Sequence, residues 1–168
     1  MDEDCIFCII SKGEDKETEI LKQDEELMCF RDINPAAPHH YLIIPKVHIV
    51  SCLCLQWYHH SLVERMAEMG KAVLLEQGVS DMTDIKLGFH IPPYTSVNHL
   101  HLHVVAPTEH IPHYLRYKFT PGERFVEVRK KHLKTGGAPT SFTDALLVLT
   151  CHSFQHDASR YLGTLLLQ

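Results

Sequence analysis

Polar and apolar residues alternate strictly from His99 to Val104, and the chain reads His-Leu-His-Leu-His-Val-Val up to Val105. A period of two predicts a half-buried β-strand with its apolar side chains toward the core. The three histidines would share the other face, with the outer two imidazoles about 13 Å apart. One metal ion cannot bridge that distance, whereas imidazoles along a groove suit an elongated anionic ligand. The competing interpretation is the solvated polar face of an edge strand.

The same pattern predicts the other elements. Residues 18–33 read as a hairpin, and the apolar runs Tyr41–Ile44 and Ile85–Phe89 read as strands. Between those runs, apolar residues recur at spacings of three and four over 55–77, which predicts an amphipathic helix that ends at Gly78. With the histidine strand, this order favours an α+β domain whose antiparallel five-stranded sheet carries one main helix on a face.

Length and composition fit a single globular domain. The chain has 168 residues, 45% apolar and 22% charged, with a net charge of −5. That charge does not favour a general nucleic-acid binder. The first residues lack a secretory signal, and no apolar run approaches the roughly 20 residues that span a membrane. The six cysteines show no disulfide framework, so we expect a cytoplasmic location, with the nucleus as a second compartment.

Two short motifs carry chemistry of their own. Cys5-Ile-Phe-Cys8 is half a zinc site, a redox pair, or two small apolar residues packed in the core. Asp32 and Ile33 lie at the end of the predicted hairpin, where aspartate also favours turns for purely local reasons. The residues alone leave these alternatives open.

Several segments together resemble the histidine triad family of nucleotide hydrolases and transferases. His-x-His-x-His with two apolar residues at 99–105 is the family motif, and Phe-x-Asp-Ile-x-Pro at 30–35 is similar to its ribose-binding turn. The segment 40–48 also matches the family, because it contains a histidine, an aromatic residue and three aliphatic residues, followed by Pro-Lys-x-His. Gly-Phe-His-x-Pro-Pro at 88–93 resembles the third subgroup of the Hint branch, and His90 stands where the best-known Hint sequences have an asparagine that contacts ribose or phosphate.

The resemblance implies an activity and a site. The activity is hydrolysis of adenosine 5'-monophosphoramidate and of acyl-adenylates such as lysyl-AMP through a nucleotidyl-histidine, with no cofactor needed for catalysis. His101 would be the nucleophile, and the other catalytic residues would be His103, His99 and His40. The nucleotide would contact Asp32, Ile33, Thr95, Ser96, His101 and His103.

The resemblance also implies a structural zinc ion held by Cys5, Cys8, His48 and His99. It implies a homodimer with a continuous sheet, or a larger homo-oligomer, with purine nucleoside monophosphates as substrates and neither a membrane nor nucleic acid as a partner. Three alternatives stay open: a hydrolase of dinucleoside polyphosphates or adenylated DNA ends, a zinc-binding interaction protein, and a metallohydrolase that uses His-x-His as a chelate.

The matching segments cover about residues 5–108, within a domain that we place at 1–134 with a C-terminal extension. The extension contains a basic, aromatic segment at 114–134, which reads either as a solvated helix or extension that covers the dimer or as a contact with nucleotide or nucleic acid. Residues 135–168 read as a linker followed by an apolar tail.

Overall fold

The computed structural model describes residues 4–128. The linker and tail predicted at 135–168, and the last part of the basic segment, lie outside the described residues. The helices are α1 (Ile6–Ser11) and α2 (His60–Glu76), and the strands are β1 (Ile20–Gln23), β2 (Leu27–Arg31), β3 (His39–Pro45), β4 (Lys86–His90), β5 (Leu102–Ala106) and β6 (Phe125–Glu127).

All six strands form one antiparallel sheet in the order β1-β2-β3-β5-β4-β6. The α+β class is confirmed, but the predicted count of five strands is wrong. The sixth strand, β6, pairs with β4 from Gly88 to His90. It has only three residues, too few for a period of two to show in the sequence, and it belongs to the segment that we read as an extension.

The main helix is confirmed, although it begins later than predicted. Two single turns of 3-10 helix, Cys52–Cys54 and Trp57–His59, precede its first residue, His60. Cys52 and Leu55 pack on the same core as the helix, so the apolar spacing continues where the α-helical backbone does not. Gly78 has a φ of +88°, which confirms it as the residue that ends the helix.

The alternation of side chains along the central strands divides the sheet into two faces. Leu102, Val104 and Ala106 of β5 face α2 and share its core. Gly70 lets α2 approach closely, since a Cβ there would lie 2.6 Å from Cγ2 of Val104. His103 lies on the opposite face, where α1 also packs. The sheet therefore separates the main core from the histidines.

The histidine segment is only partly a strand. β5 begins at Leu102, and its last pair with β3 joins that residue to Ile43. Pro45, which ends β3, has no N–H to donate to a longer ladder. His99 and His101 therefore precede the strand, and the prediction that all three histidines lie along one strand is wrong.

Candidate active site

A cavity of about 720 Å³ opens on the sheet face opposite α2. Four histidines of residues 4–128 line it, together with apolar residues of α1 and residues of the C-terminal segment. The predicted site residues among its walls are Asp32, Ile33, His40, Ser96, His101 and His103.

The ring of His101 is oriented by its own backbone. Its Nδ1 lies 2.6 Å from the carbonyl oxygen of His99, and because a carbonyl only accepts, Nδ1 must carry the proton. The lone pair of the neutral ring is then on Nε2. Burial holds the pKa of His101 below its usual value, although the His99 carbonyl and the Asp32 carboxylate oppose that shift. His101 is therefore a neutral imidazole at pH 7, which is the nucleophilic form.

His40 fixes the tautomer of His103. The backbone N–H of Ala36 donates to Nδ1 of His40 over 2.9 Å, so Nε2 carries the proton of the neutral His40 ring. That Nε2 lies 2.9 Å from Nδ1 of His103. Burial lowers the pKa of His40 to about 4 and that of His103 well below its usual range, so both rings are neutral.

The chain of hydrogen bonds from Ala36 through His40 ends at the ring of His103. Since Nδ1 of His103 accepts from His40, its Nε2 carries the proton, and this buried nitrogen has no hydrogen-bond partner among the described residues. A buried donor without a partner costs about 1–3 kcal/mol. An acceptor oxygen on a ligand in the cavity would remove that cost. The ring of His101 lies beside that of His103, with 4.9 Å between the two ring centroids.

Asp32 makes a turn and also faces the histidines. One carboxylate oxygen accepts from the backbone N–H of Asn34 over 2.8 Å, and the other lies 3.3 Å from Nε2 of His40. Burial raises the pKa of Asp32, against the opposing effect of the Asn34 N–H. Ile33, beside it, is 91% exposed on the cavity wall, so its side chain can contact a ligand.

Cys5, Cys8, His48 and His99 come together at a separate cluster. Their ligand atoms all lie within 4.8 Å of one another, and Nδ1 of His99 is 3.5 Å from each of the two sulfurs. Tetrahedral zinc with sulfur and nitrogen ligands places those atoms about 3.5 Å apart. In addition, Nε2 of His99 donates to the carbonyl of Pro45 over 2.8 Å, which leaves the Nδ1 lone pair toward the sulfurs. The residues present fit zinc.

Two predicted site residues lie elsewhere than expected. His99 does not line the cavity, because both of its ring nitrogens are engaged at the cysteine cluster and at Pro45. Thr95 does not line the cavity but a smaller crevice, beside Ser51 and Leu100. Its neighbour Ser96 does reach the cavity.

The structure adds cavity residues that sequence reasoning did not assign. Phe7 of α1 packs edge-on against His101 with 5.3 Å between the ring centroids, and Phe119 packs on both His40 and His90. His90 in turn packs edge-on against His103, with 4.5 Å between the two ring centroids. The signal for Phe119 was the aromatic content of the segment at 114–134, of which residues up to 128 are described.

Neither helix in the described part of the chain is both long enough and apolar enough to span a membrane.

The chain is similar to several known proteins. The family model described as "Scavenger mRNA decapping enzyme C-term binding" matches residues 4–115. The zebrafish (Danio rerio) protein "Adenosine 5'-monophosphoramidase HINT3" is 63% identical over 107 residues, which are 64% of this chain and 67% of that protein. The protein of the same name from Xenopus tropicalis is 46% identical over 66% of this chain and 72% of its own length.

Among solved structures, a "HIT family hydrolase" from Clostridium thermocellum superposes with a TM-score of 0.58 at 31% identity, over 62% of this chain and 91% of its own. The family match covers more than half of the chain. The chain belongs to the histidine triad (HIT) family and is a hydrolase of its Hint branch.

Proposed function

We propose that the protein is an adenosine 5'-monophosphoramidase that forms a nucleotidyl-histidine on His101. The observation that carries this proposal is the pair of oriented, neutral rings: His101 offers a lone pair on Nε2, and His103 offers a proton on Nε2. The names of the Hint relatives support the choice of adenosine 5'-monophosphoramidate as substrate. Acyl-adenylates such as lysyl-AMP remain a prediction from the family resemblance.

In the first step, Nε2 of His101 attacks the α-phosphorus while the bond from phosphorus to the leaving amine breaks. The amine nitrogen takes up one proton from solvent as it departs, and the water that attacks in the second step returns one proton to solvent. The Nε2–H of His103 donates to an oxygen of the phosphoryl group, where negative charge develops in the transition state. His40 keeps that donor in place through the hydrogen bond to Nδ1 of His103.

In the second step, water attacks the same phosphorus and the bond to His101 breaks. The proton that the water loses balances the one that the amine took up, and AMP is released. A neutral imidazole suits both steps, because it attacks without a base and leaves again from a labile P–N bond. Asp32 and Ile33 bind the ribose and the base in this proposal, and Ser96 contacts the phosphate or the leaving group.

We further propose a structural role for the cysteine cluster. Cys5, Cys8, His48 and His99 would hold zinc, which would fasten α1 to the ends of the strands. Such an ion fills its fourth ligand position with protein and so supplies stability rather than chemistry. His99 then belongs to this cluster and acts on catalysis only through its carbonyl, which orients His101.

Assembly and location remain predictions. A homodimer with a continuous sheet would have to add strands at β1 or β6, since these are the edges of the described sheet. Light scattering measures the oligomeric state, and imaging of the tagged protein tests the cytoplasmic and nuclear locations.

Turnover of adenosine 5'-monophosphoramidate tests the proposed function. His101→Asn should lower kcat by at least about a thousandfold while nucleotide affinity stays within about tenfold, because the ring makes its decisive bond only in the transition state. His113→Gln is the matched control, since this exposed histidine lies outside the cavity. An unchanged kcat in His101→Asn would rule out the mechanism.

A further inference from the structure

The wall of the cavity next to His90 is basic. Lys118 and Arg124 line it, and no carboxylate of residues 4–128 lies within ion-pair distance of either side chain. Among the described residues of the cavity walls, Asp32 is the only carboxylate, and it already faces His40 and accepts from Asn34. This wall is therefore an unneutralised cationic surface on a protein whose net charge is −5.

Arg124 is held in position by its neighbours. Its guanidinium carbon lies 4.2 Å above the ring of Tyr94 and 5.6 Å from that of Tyr117. Its carbonyl accepts from the backbone N–H of Ile91 over 2.9 Å, which ties it to the end of β4. Stacking on aromatic faces occupies the flat sides of the guanidinium and leaves its N–H groups free along the edge.

The sheet order separates this wall from the predicted nucleoside contacts. Asp32 and Ile33 follow β2, whereas Arg124 directly precedes β6, four strand-to-strand steps away. At about 4.8 Å per step, the lateral separation is about 19 Å. With the nucleoside against Asp32 and Ile33, the other substituent on the phosphorus has to use a different part of the cavity.

We propose that Lys118 and Arg124 select the leaving group, and that the preferred substrates are AMP conjugates whose leaving amine carries a carboxylate. This inference rests on the proposed function and specifies the substrate class of the same site. The two cations attract a group of opposite charge, and the edge of Arg124 offers the paired donors that a carboxylate accepts. A leaving group with a second ammonium would be repelled, so lysine-type amines should be the poorer class.

A series of three substrates tests the inference. Each is AMP joined through its P–N bond to an amine of similar length: β-alanine, β-alanine amide, and singly protonated ethylenediamine. The leaving groups then differ mainly in charge, from −1 through 0 to +1. We expect kcat/KM to fall in that order, with about a tenfold preference for the carboxylate over the amide, as two exposed ion pairs provide.

The variants separate charge from shape. Lys118→Gln with Arg124→Gln should bring the carboxylate-to-amide ratio of kcat/KM close to one. Lys118→Gln alone, which leaves the stacked Arg124 in place, should reduce that ratio about threefold. Lys71→Gln is the matched control, since Lys71 lies on α2 across the sheet and should leave the ratio unchanged. High salt should also reduce the ratio, because exposed charges are screened.

The outcomes distinguish this inference from the proposed function. Equal turnover of all three conjugates by the unaltered protein, or a ratio that survives in the double variant, would overturn the selection by Lys118 and Arg124 alone. Failure to cleave any of the conjugates, including the neutral amide, would instead overturn the proposed function.

Discussion

The orientation of single rings decides the chemistry of this site. Each of three buried histidines has one nitrogen fixed by a partner: His101 by the carbonyl of His99, His40 by the N–H of Ala36, and His103 by His40. Of the four histidines among the described residues that line the cavity, the sequence predicted His40, His101 and His103 but did not assign His90, and it did not predict which nitrogen of each ring faces the cavity. Two of the fixing groups are backbone groups only two and four residues away, but whether they meet the ring depends on the folded backbone, and the third, His40, lies on another strand.

Asp32 shows why a local pattern leaves two functions unresolved. The Phe-x-Asp-Ile-x-Pro match predicted a ribose contact, and turn chemistry was the alternative. The structure shows the turn bond to Asn34 and also places the second carboxylate oxygen beside His40. The two interpretations are compatible, because the turn bond uses only one of the two carboxylate oxygens, and the ribose contact stays a prediction.

We predict that Asp32 gives the protein its preference for ribose. Charge-assisted hydrogen bonds to ribose hydroxyls contribute roughly 1.5 to 3 kcal/mol each, so adenosine conjugates should exceed 2'-deoxyadenosine conjugates at least about tenfold in kcat/KM. Asp32→Ala should erase this discrimination more than it lowers kcat. Asp32→Asn is the matched control that keeps the shape and one acceptor. Equal kcat/KM for the two sugars in the unaltered protein would leave Asp32 with its turn role alone.

At the scale of elements, the sequence predicted the strands up to β5 and the main helix, and it missed α1 and β6. Both are short, with six and three residues. A helix as short as α1 is not stable by itself and depends on tertiary contacts. Here those contacts are Phe7 against Phe30 and the cysteine cluster against His48 and His99. The family resemblance had named the four residues of the cluster, whereas the contact of Phe7 with Phe30 emerges only in the packed structure.

We expect a bound zinc ion to hold α1 against the sheet. Purified protein should contain about one zinc per chain, and Cys8→Ser should lose the metal and several kcal/mol of unfolding free energy. Elemental analysis and urea unfolding measure the two quantities. Cys54→Ser is the matched control, because that thiol is exposed and outside the cluster. Protein that is purified without metal and whose unfolding free energy is unchanged by Cys8→Ser would place Cys5 and Cys8 in the apolar packing instead.

Over the whole molecule, the buried histidines link stability to pH. Burial lowers the pKa values of His40 and His90 to about 4, whereas an unfolded chain has histidines near the usual 6.5. The unfolded state therefore binds more protons between these values, and the free energy of unfolding falls as pH decreases through that window. The raised pKa of Asp32 acts in the opposite direction, since its burial favours the protonated form.

We predict that urea unfolding will show lower stability at about pH 5 than at about pH 7.5, with His40 alone contributing about 3 kcal/mol across its full window. His40→Asn should flatten this dependence. The exposed His113→Gln should retain it. A stability that is constant over this range would mean that His40 and His90 titrate in the folded protein as they do in the unfolded chain.

The central claim is that His101 carries the nucleotide during turnover, and rapid-quench intact mass spectrometry tests it most directly. The protein is mixed with adenosine 5'-monophosphoramidate and quenched within the first turnover. We expect a mass increase of one adenylyl group, localised to His101 by peptide analysis and absent in His101→Asn. Turnover with no adenylylated protein at any quench time, or the adduct on another residue, would contradict the account.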